Sequence, residues 1–111
     1  MFELWLVTRY NARIKAMRSY ELVTIVNPEA DDEGMHGVMG RVSRFITEKD
    51  GVVEGTEQWG KKKLAYPIRH FLEGNYSLTR FKLEPRRVKE LETNLGAEGE
   101  ILRHLVVLVG D

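Results

Sequence analysis

The sequence contains no cysteine among its 111 residues. This absence excludes disulfides, thiolate nucleophiles, iron–sulfur clusters and zinc sites built on cysteine. A chain of this length fits one domain and buries roughly two-thirds of its unfolded surface, so it needs no metal or disulfide to stay folded. No apolar run approaches the ~20 residues of a membrane-spanning helix. We therefore expect no membrane partner, no metal and no cofactor.

The sequence also lacks net charge, because 17 lysines and arginines balance 17 carboxylates. Zero net charge argues against a protein held to nucleic acid by bulk charge alone. The two signs are nevertheless separated: residues 28–58 carry eight carboxylates and three cations, whereas residues 59–70 carry four cations and no carboxylate. One compact basic segment fits local contact with phosphates. The alternative is a solvated loop, or lysines that only block aggregation at a sheet edge.

Residue patterns after Met17 predict six elements. Runs of β-branched and apolar residues indicate strands, whereas apolar residues at i, i+3 and i+4 indicate helices. The first strand is expected to be covered on both faces and the last to be largely covered, because both are almost continuously apolar. The predicted elements are a strand over 18–27, a helix over 30–49, a strand over 52–68 interrupted near Trp59-Gly60, a turn at 70–74, a strand over 75–83, a helix from Glu84-Pro85 and a strand over 101–109.

The order β-α-β-β-α-β defines a fold class. Two right-handed βαβ crossovers and a central hairpin give an α+β, ferredoxin-like sandwich, with both helices on one face of a four-stranded antiparallel sheet of order 4-1-3-2. Pro67 independently places the second strand at an edge, because proline cannot donate to a strand ladder. We assign residues 17–111 to this domain and residues 1–16 to an N-terminal extension.

The residue types of enzyme sites do not converge in this sequence. His36, His70 and His104 fall in three separate elements, and none has a second ligand three or four residues away. Acylphosphatases share the topology, but the turn after the first strand, Asn27-Pro28-Glu29, is acidic rather than suited to an anion. We predict no catalytic residue and no small-molecule substrate, and keep an acylphosphatase-like enzyme as an alternative.

Base stacking on the sheet is also disfavoured as a mode of RNA recognition. RRM domains share the topology and stack bases on aromatic residues of the third strand. The corresponding positions here are Asn75, Ser77 and Arg80, none of them aromatic. The basic segment 59–70 is therefore the strongest signal for a nucleic-acid partner.

Three stretches of the chain match a known family. They are Met17-Arg18-Ser19-Tyr20-Glu21 at the start of the first strand, Asn27-Pro28 at its end, and above all the run WGKKKLAYPI from Trp59 to Ile68. Gly74-Asn75-Tyr76 follows this run at the expected spacing. On these motifs the chain from Met17 to Val109 resembles the bacterial small ribosomal subunit protein six family.

The resemblance implies a non-enzymatic, structural component of the small ribosomal subunit in the cytoplasm. It also implies binding to small-subunit ribosomal RNA together with ribosomal protein eighteen, as a heterodimer. A ferredoxin-like interaction or ligand-binding module that is not on the ribosome remains an alternative, since a shared fold does not fix function. The expected RNA-binding residues are Arg18, Lys61, Lys62 and Lys63 from the resemblance and Arg69, Arg80 and Arg103 from charge alone; the expected partner contacts are Trp59, Leu64 and Tyr66.

Overall fold

The structure, a computed structural model, describes residues 16–110. The predicted N-terminal extension lies outside these residues except for its last position, so the domain boundary at residue 17 stays a prediction. The described elements are β1 (Arg18–Val26), α1 (Asp32–Thr47), β2 (Val52–Ile68), β3 (Phe71–Leu83), a 3₁₀ turn (Pro85–Arg87) that continues into α2 (Val88–Ala97), and β4 (Ile101–Gly110).

The four strands form one antiparallel sheet in the order β2-β3-β1-β4. This is the predicted order read from the opposite edge, so the ferredoxin-like fold class is confirmed. Pro67 lies in β2, an edge strand, where its missing N–H costs no ladder bond to a further strand. Within the described residues, neither helix is long and apolar enough to cross a membrane.

One face of the sheet packs against both helices. Alternate residues of β1 are buried on this face, whereas Ser19, Glu21, Val23 and Ile25 stay partly exposed on the other, which we call the open face. The prediction that β1 is covered on both faces is therefore wrong, because both helices pack on the same side of the sheet. The core contains Tyr20, Leu22 and Val26 of β1, Val38, Val42 and Ile46 of α1, Phe81 and Leu83 of β3, Leu91 and Leu95 of α2, and Ile101 of β4.

The β2–β3 hairpin turn is shorter than the predicted turn at 70–74, and β3 begins four residues earlier than predicted. Arg69 and His70 form the turn with φ of 50° and 64°, and Phe71 already belongs to β3. A tight hairpin needs positive φ at both central residues, which normally selects asparagine or glycine. The prediction placed the turn next to Gly74, because glycine is typical of turns. Arginine and histidine are not, so the sequence did not indicate the turn at Arg69 and His70.

The last strand is much more exposed than predicted. Ile101 and Leu102 are buried, but Leu105, Leu108 and Val109 each expose more than half of their surface. β4 is an edge strand, as the predicted order 4-1-3-2 requires, and has a neighbouring strand on one side only; the expectation of cover came from its apolar composition and not from this position.

Two hydroxyls are buried without a hydrogen-bond partner among the described residues, those of Ser77 and Thr79 on β3. A buried, unsatisfied hydroxyl carries a desolvation cost that an apolar group of similar shape avoids. We expect Thr79→Val to raise the free energy of unfolding by about 1 kcal/mol in urea titrations. Thr24→Val is the matched control, because the Thr24 hydroxyl donates to Met39 Sδ at 3.9 Å. An equal gain in both variants would contradict the assignment.

A bidentate ion pair ties α1 to the turn before β4. Arg41 Nε donates to Glu98 Oε2 at 2.6 Å and Arg41 Nη2 donates to Oε1 at 3.2 Å. The hydrogen bond from Arg41 holds the pKa of Glu98 below its ordinary value, against the opposing effect of burial. The pair therefore stabilises the fold above the unfolded-state pKa of Glu98, and this contribution disappears as the pH falls through the lowered folded-state pKa.

We expect Arg41→Gln to lower the free energy of unfolding near neutral pH and to have a much smaller effect below the lowered pKa of Glu98. Urea unfolding at neutral pH and at a series of decreasing acidic pH values measures the difference. Arg44→Gln, on the exposed side of the same helix, should show no comparable pH dependence. A loss in Arg41→Gln that stays constant with pH would assign the stabilisation to packing of the arginine instead.

Candidate nucleic-acid interface

The end of β2 leaves the sheet and folds over its open face. The pairing with β3 runs as far as Lys63 and Glu73 and then jumps to Ile68 and Phe71, so the residues between Lys63 and Ile68 bulge out of the ladder. Pro67 falls in this bulge, where a missing N–H is tolerated. Tyr66 from the bulge accepts a hydrogen bond from Arg103 of β4, whose guanidinium lies 5.3 Å from the tyrosine ring centroid. This contact joins the two edge strands across the sheet.

A shallow cavity of about 110 Å³ lies beside this contact on the open face. Leu64 is buried, whereas Tyr66 keeps 55% of its surface exposed. Leu64 therefore forms the wall of the cavity and Tyr66 its accessible rim. The lining residues are Ile25, Leu64, Ala65, Tyr66, Ile68, Tyr76 and Arg103.

The three consecutive lysines lie on the exposed edge strand just before the bulge. Lys61, Lys62 and Lys63 are exposed and pair in register with residues 73–75 of β3. Among residues 16–110, no carboxylate lies within ion-pair distance of any of the three. Lys62 Nζ lies 5.3 Å from the ring centroid of Trp59. The strand therefore presents three exposed cations without an ion pair to solvent, and the nearest carboxylate in the ladder is Glu73, opposite Lys63.

Two further predicted cations lie at the same end of the sheet. Arg69 Nη1 donates to the carbonyl of Gly99 at 2.9 Å, which holds the hairpin turn against the turn before β4. Arg103, held by Tyr66, is in register with Ile25 of β1, which in turn is in register with Tyr76 of β3. Both arginines keep exposed surface and add positive charge beside the lysine run.

Arg80 and Arg18 are not part of this group. Arg80 lies in the middle of the open face, bonded to Glu57 and 3.6 Å from Glu21, so two carboxylates offset its charge. Arg18 begins β1, whereas Lys61 lies level with Val26 at its end. At about 3.4 Å per residue the two ends are about 27 Å apart. The structure thus brings five of the seven predicted cations together.

Sequence reasoning missed the partners of Arg80 and the exposure of Leu72. Glu21 and Glu57 are far from Arg80 in the sequence, and only the register of the three strands brings them together. Leu72 was assigned to the turn, but it lies in β3 with 63% of its surface exposed, opposite the bulge of β2. The exposure of Leu72 was missed because the hairpin turn was predicted at residues 70–74 and not at Arg69 and His70.

The geometry described above is that of a ferredoxin-like α+β protein whose edge hairpin carries an exposed row of cations. Residues 19–108 match the family model for ribosomal protein S6. The chain belongs to this family.

Individual relatives agree with the family match. The chain is 38% identical over 91 residues to small ribosomal subunit protein bS6 of Symbiobacterium thermophilum, covering 82% of this chain and 96% of that protein. It is 39% identical over 92 residues to the bS6 of Clostridioides difficile, covering 83% and 99%. Its structure is similar to the crystal structure of 30S ribosomal protein S6 from Thermotoga maritima, with a TM-score of 0.77, 30% identity, and coverage of 83% of this chain and 87% of that chain.

Family membership decides between the functional classes left open by the sequence. The protein is a component of the small ribosomal subunit and therefore of the cytoplasm. The family is structural rather than enzymatic, which sets aside the acylphosphatase-like alternative. It also sets aside a module that works away from the ribosome.

Proposed function

We propose that this protein binds small-subunit ribosomal RNA through the lysine row of β2 and does so together with ribosomal protein eighteen. The observation that carries the proposal is the set of three exposed lysines without a carboxylate partner among the described residues. Phosphate oxygens are the natural partners of such cations, and each contact releases counterions from the RNA. Arg69 and Arg103 extend the same positive surface across the hairpin end.

The arrangement of charge predicts few phosphate contacts. Arg80 is offset by Glu21 and Glu57, so it contributes little to RNA binding. Arg18 lies about 27 Å from the lysine row, since strands rise about 3.4 Å per residue, and would meet a separate segment of RNA. A protein with so few contacts binds RNA weakly alone, and a second protein must supply the remaining affinity.

The apolar surface beside the lysines fits a protein partner. Trp59 and Tyr66 expose 42% and 55% of their surfaces, and aromatic residues are enriched in protein interfaces. Leu64 is buried and contributes through the cavity wall, where it would meet one inserted apolar side chain of the partner. We place the contact with ribosomal protein eighteen on Trp59, Tyr66 and this cavity.

The experiment is a titration of a fluorescent fragment of small-subunit ribosomal RNA, with and without ribosomal protein eighteen, over a range of salt concentrations. We expect weak binding by this protein alone, with a slope of log affinity against log salt of about −2 to −4, because about two to four phosphates are engaged. Addition of the partner should tighten binding of this protein, as linkage between the two requires.

Two results would contradict the proposal. A slope near −8 for this protein alone, given about 0.9 per phosphate, would mean extensive independent RNA contact. An RNA affinity that does not change when the partner is present at saturating concentration would remove the partnership. Tyr66→Ala should abolish the effect of the partner while leaving the slope for this protein alone unchanged.

A further inference from the structure

The cavity beside the Tyr66–Arg103 contact has apolar walls and a single charged residue. Its lining consists of aliphatic and aromatic residues except for Arg103, which lies beside Tyr66. Binding sites are typically concave and mostly apolar, with a few placed polar groups that fix the orientation of the ligand. The cavity therefore has the composition of a site for an apolar side chain that has a polar group close to it.

The volume of the cavity, about 110 Å³, fits one aliphatic side chain. A water-sized group takes up about 30 Å³, so the cavity has room for about four non-hydrogen atoms. The side chain of leucine or isoleucine has four carbon atoms, whereas that of phenylalanine has seven. Apolar walls also favour a side chain over ordered water, because a buried water needs two or more polar partners.

Arg103 has hydrogen-bond donors to spare beside this cavity. A guanidinium carries five N–H donors, and the structure gives that of Arg103 one acceptor among the described residues, the Tyr66 hydroxyl. No carboxylate of residues 16–110 lies within ion-pair distance of Arg103, whereas Arg80 on the same face is offset by Glu21 and Glu57. The contact with Tyr66 also holds the guanidinium in place, which lowers the entropy cost of binding an anion.

The walls of the cavity favour a carboxylate over a phosphate as this anion. A guanidinium can bind either group through two parallel hydrogen bonds. The backbone of a nucleic acid, however, carries no aliphatic group that could fill the cavity next to Arg103, whereas a polypeptide supplies both an aliphatic side chain and a carboxylate. Arg103 also lies on β4, across the sheet from the lysine row of β2, so the two can bind different ligands.

Resting on the proposed partnership with ribosomal protein eighteen, we propose that the partner docks through an extended segment that seats a leucine or isoleucine side chain in the cavity and, two residues away, a carboxylate on Arg103. Alternate residues of an extended segment lie about 7 Å apart and point the same way. Arg103 is in register with Ile25, and Ile25 with Tyr76, so it lies one and two strand spacings, about 5 and about 10 Å, from these two lining residues. The spacing of the segment matches that of the site.

Methyl NMR of the full-length protein tests this docking mode without RNA and without ribosomal protein eighteen. The methyl groups of Ile25 and Ile68 report from the cavity, and that of Ile46 reports from the core. The probe is the blocked peptide acetyl-Ala-Leu-Ala-Glu-Ala-amide. Its two matched controls carry glutamine in place of glutamate and alanine in place of leucine.

The glutamate peptide should shift the Ile25 and Ile68 signals and saturate in about the millimolar range, since it makes one apolar contact and one exposed ion pair. Its affinity should be about threefold higher than that of the glutamine peptide, which lacks the ion pair. The peptide without leucine should give no saturable shift. Equal affinities for the glutamate and glutamine peptides, or saturable shifts confined to residues outside the cavity, would overturn the proposal.

Two variants assign the preference for glutamate to one side chain. Arg103→Gln should bind the glutamate and glutamine peptides equally, whereas Arg44→Gln, which removes an exposed cation of α1, should keep the threefold preference. An unchanged Ile46 signal in both variants shows that the fold is intact. A salt slope for RNA that flattens by about 0.9 in Arg103→Gln would overturn the proposal, because Arg103 would then bind a phosphate. The peptide titrations contain no RNA, so their failure is distinct from a failure of the proposed function.

Discussion

Replacement of Lys61, Lys62 and Lys63 together by alanine should weaken binding to small-subunit ribosomal RNA by roughly 100-fold at about 0.1 M salt. Each phosphate contact contributes about 0.9 to the salt slope, so the loss of three contacts should flatten it by up to about 2.7. Titration of the labelled RNA in the presence of ribosomal protein eighteen measures both quantities. The free energy of unfolding should stay within about 0.5 kcal/mol, because exposed side chains without ion pairs contribute little to stability.

The control for the triple lysine variant must remove three positive charges from a part of the protein away from the hairpin end. Arg44 of α1, Arg86 of the 3₁₀ turn and Lys89 of α2 are exposed cations of the helix layer, on the side of the sheet away from its open face. Their combined replacement by alanine also removes three positive charges, but at a position distant from the hairpin end. A purely global effect of net charge would weaken RNA binding equally in both triple variants.

The triple lysine variant also separates the two functions that a lysine row on an edge strand can serve. If the lysines only prevent edge pairing, the variant should aggregate while the soluble fraction binds RNA with unchanged affinity. Light scattering together with the RNA titration distinguishes this outcome from the one proposed. If the soluble monomer of the variant binds RNA with unchanged affinity, the lysine row serves only to keep the protein soluble.

The order of the strands could be predicted because three local signals agreed. Apolar periodicity gave the element types, the right-handed crossover rule gave the topology, and Pro67 marked an edge. Each signal is contained in a few neighbouring residues and needs no knowledge of tertiary contacts. The hairpin turn failed because its two positive-φ positions are Arg69 and His70, which carry no turn signal.

The candidate site shows the same division between local and non-local information. The lysine row could be found because its charge and its exposure on an edge strand are both local properties. Arg80 was predicted to bind RNA from its charge alone, because Glu21 and Glu57, which offset that charge, meet it only through the pairing of three strands. The contact of Tyr66 with Arg103 also spans the whole sheet, and no spacing in the sequence reports it.

Gly74→Ala should be the most destabilising small substitution in the hairpin, lowering the free energy of unfolding by about 3 kcal/mol. A Cβ at this position would lie 2.3 Å from Ile25 Cγ2, well inside van der Waals contact. The Ile25 methyl belongs to a β-branched side chain with little freedom to move. Relief therefore requires β3 to shift away from β1, which also moves the Leu64 wall of the cavity, 3.6 Å from the new carbon.

Gly55→Ala is the matched control for this prediction, because a Cβ there meets nothing within 4 Å and Gly55 lies in the same hairpin. Alanine at an open strand position should leave stability unchanged or raise it slightly, since glycine loses the most entropy on folding. Urea unfolding of Ile25→Ala, Gly74→Ala and the double variant then isolates the contact. Because the isoleucine methyl causes the clash, Ile25→Ala should cost less in the Gly74→Ala background than in the natural one. Additive effects would show that the loss does not come from the contact with Ile25.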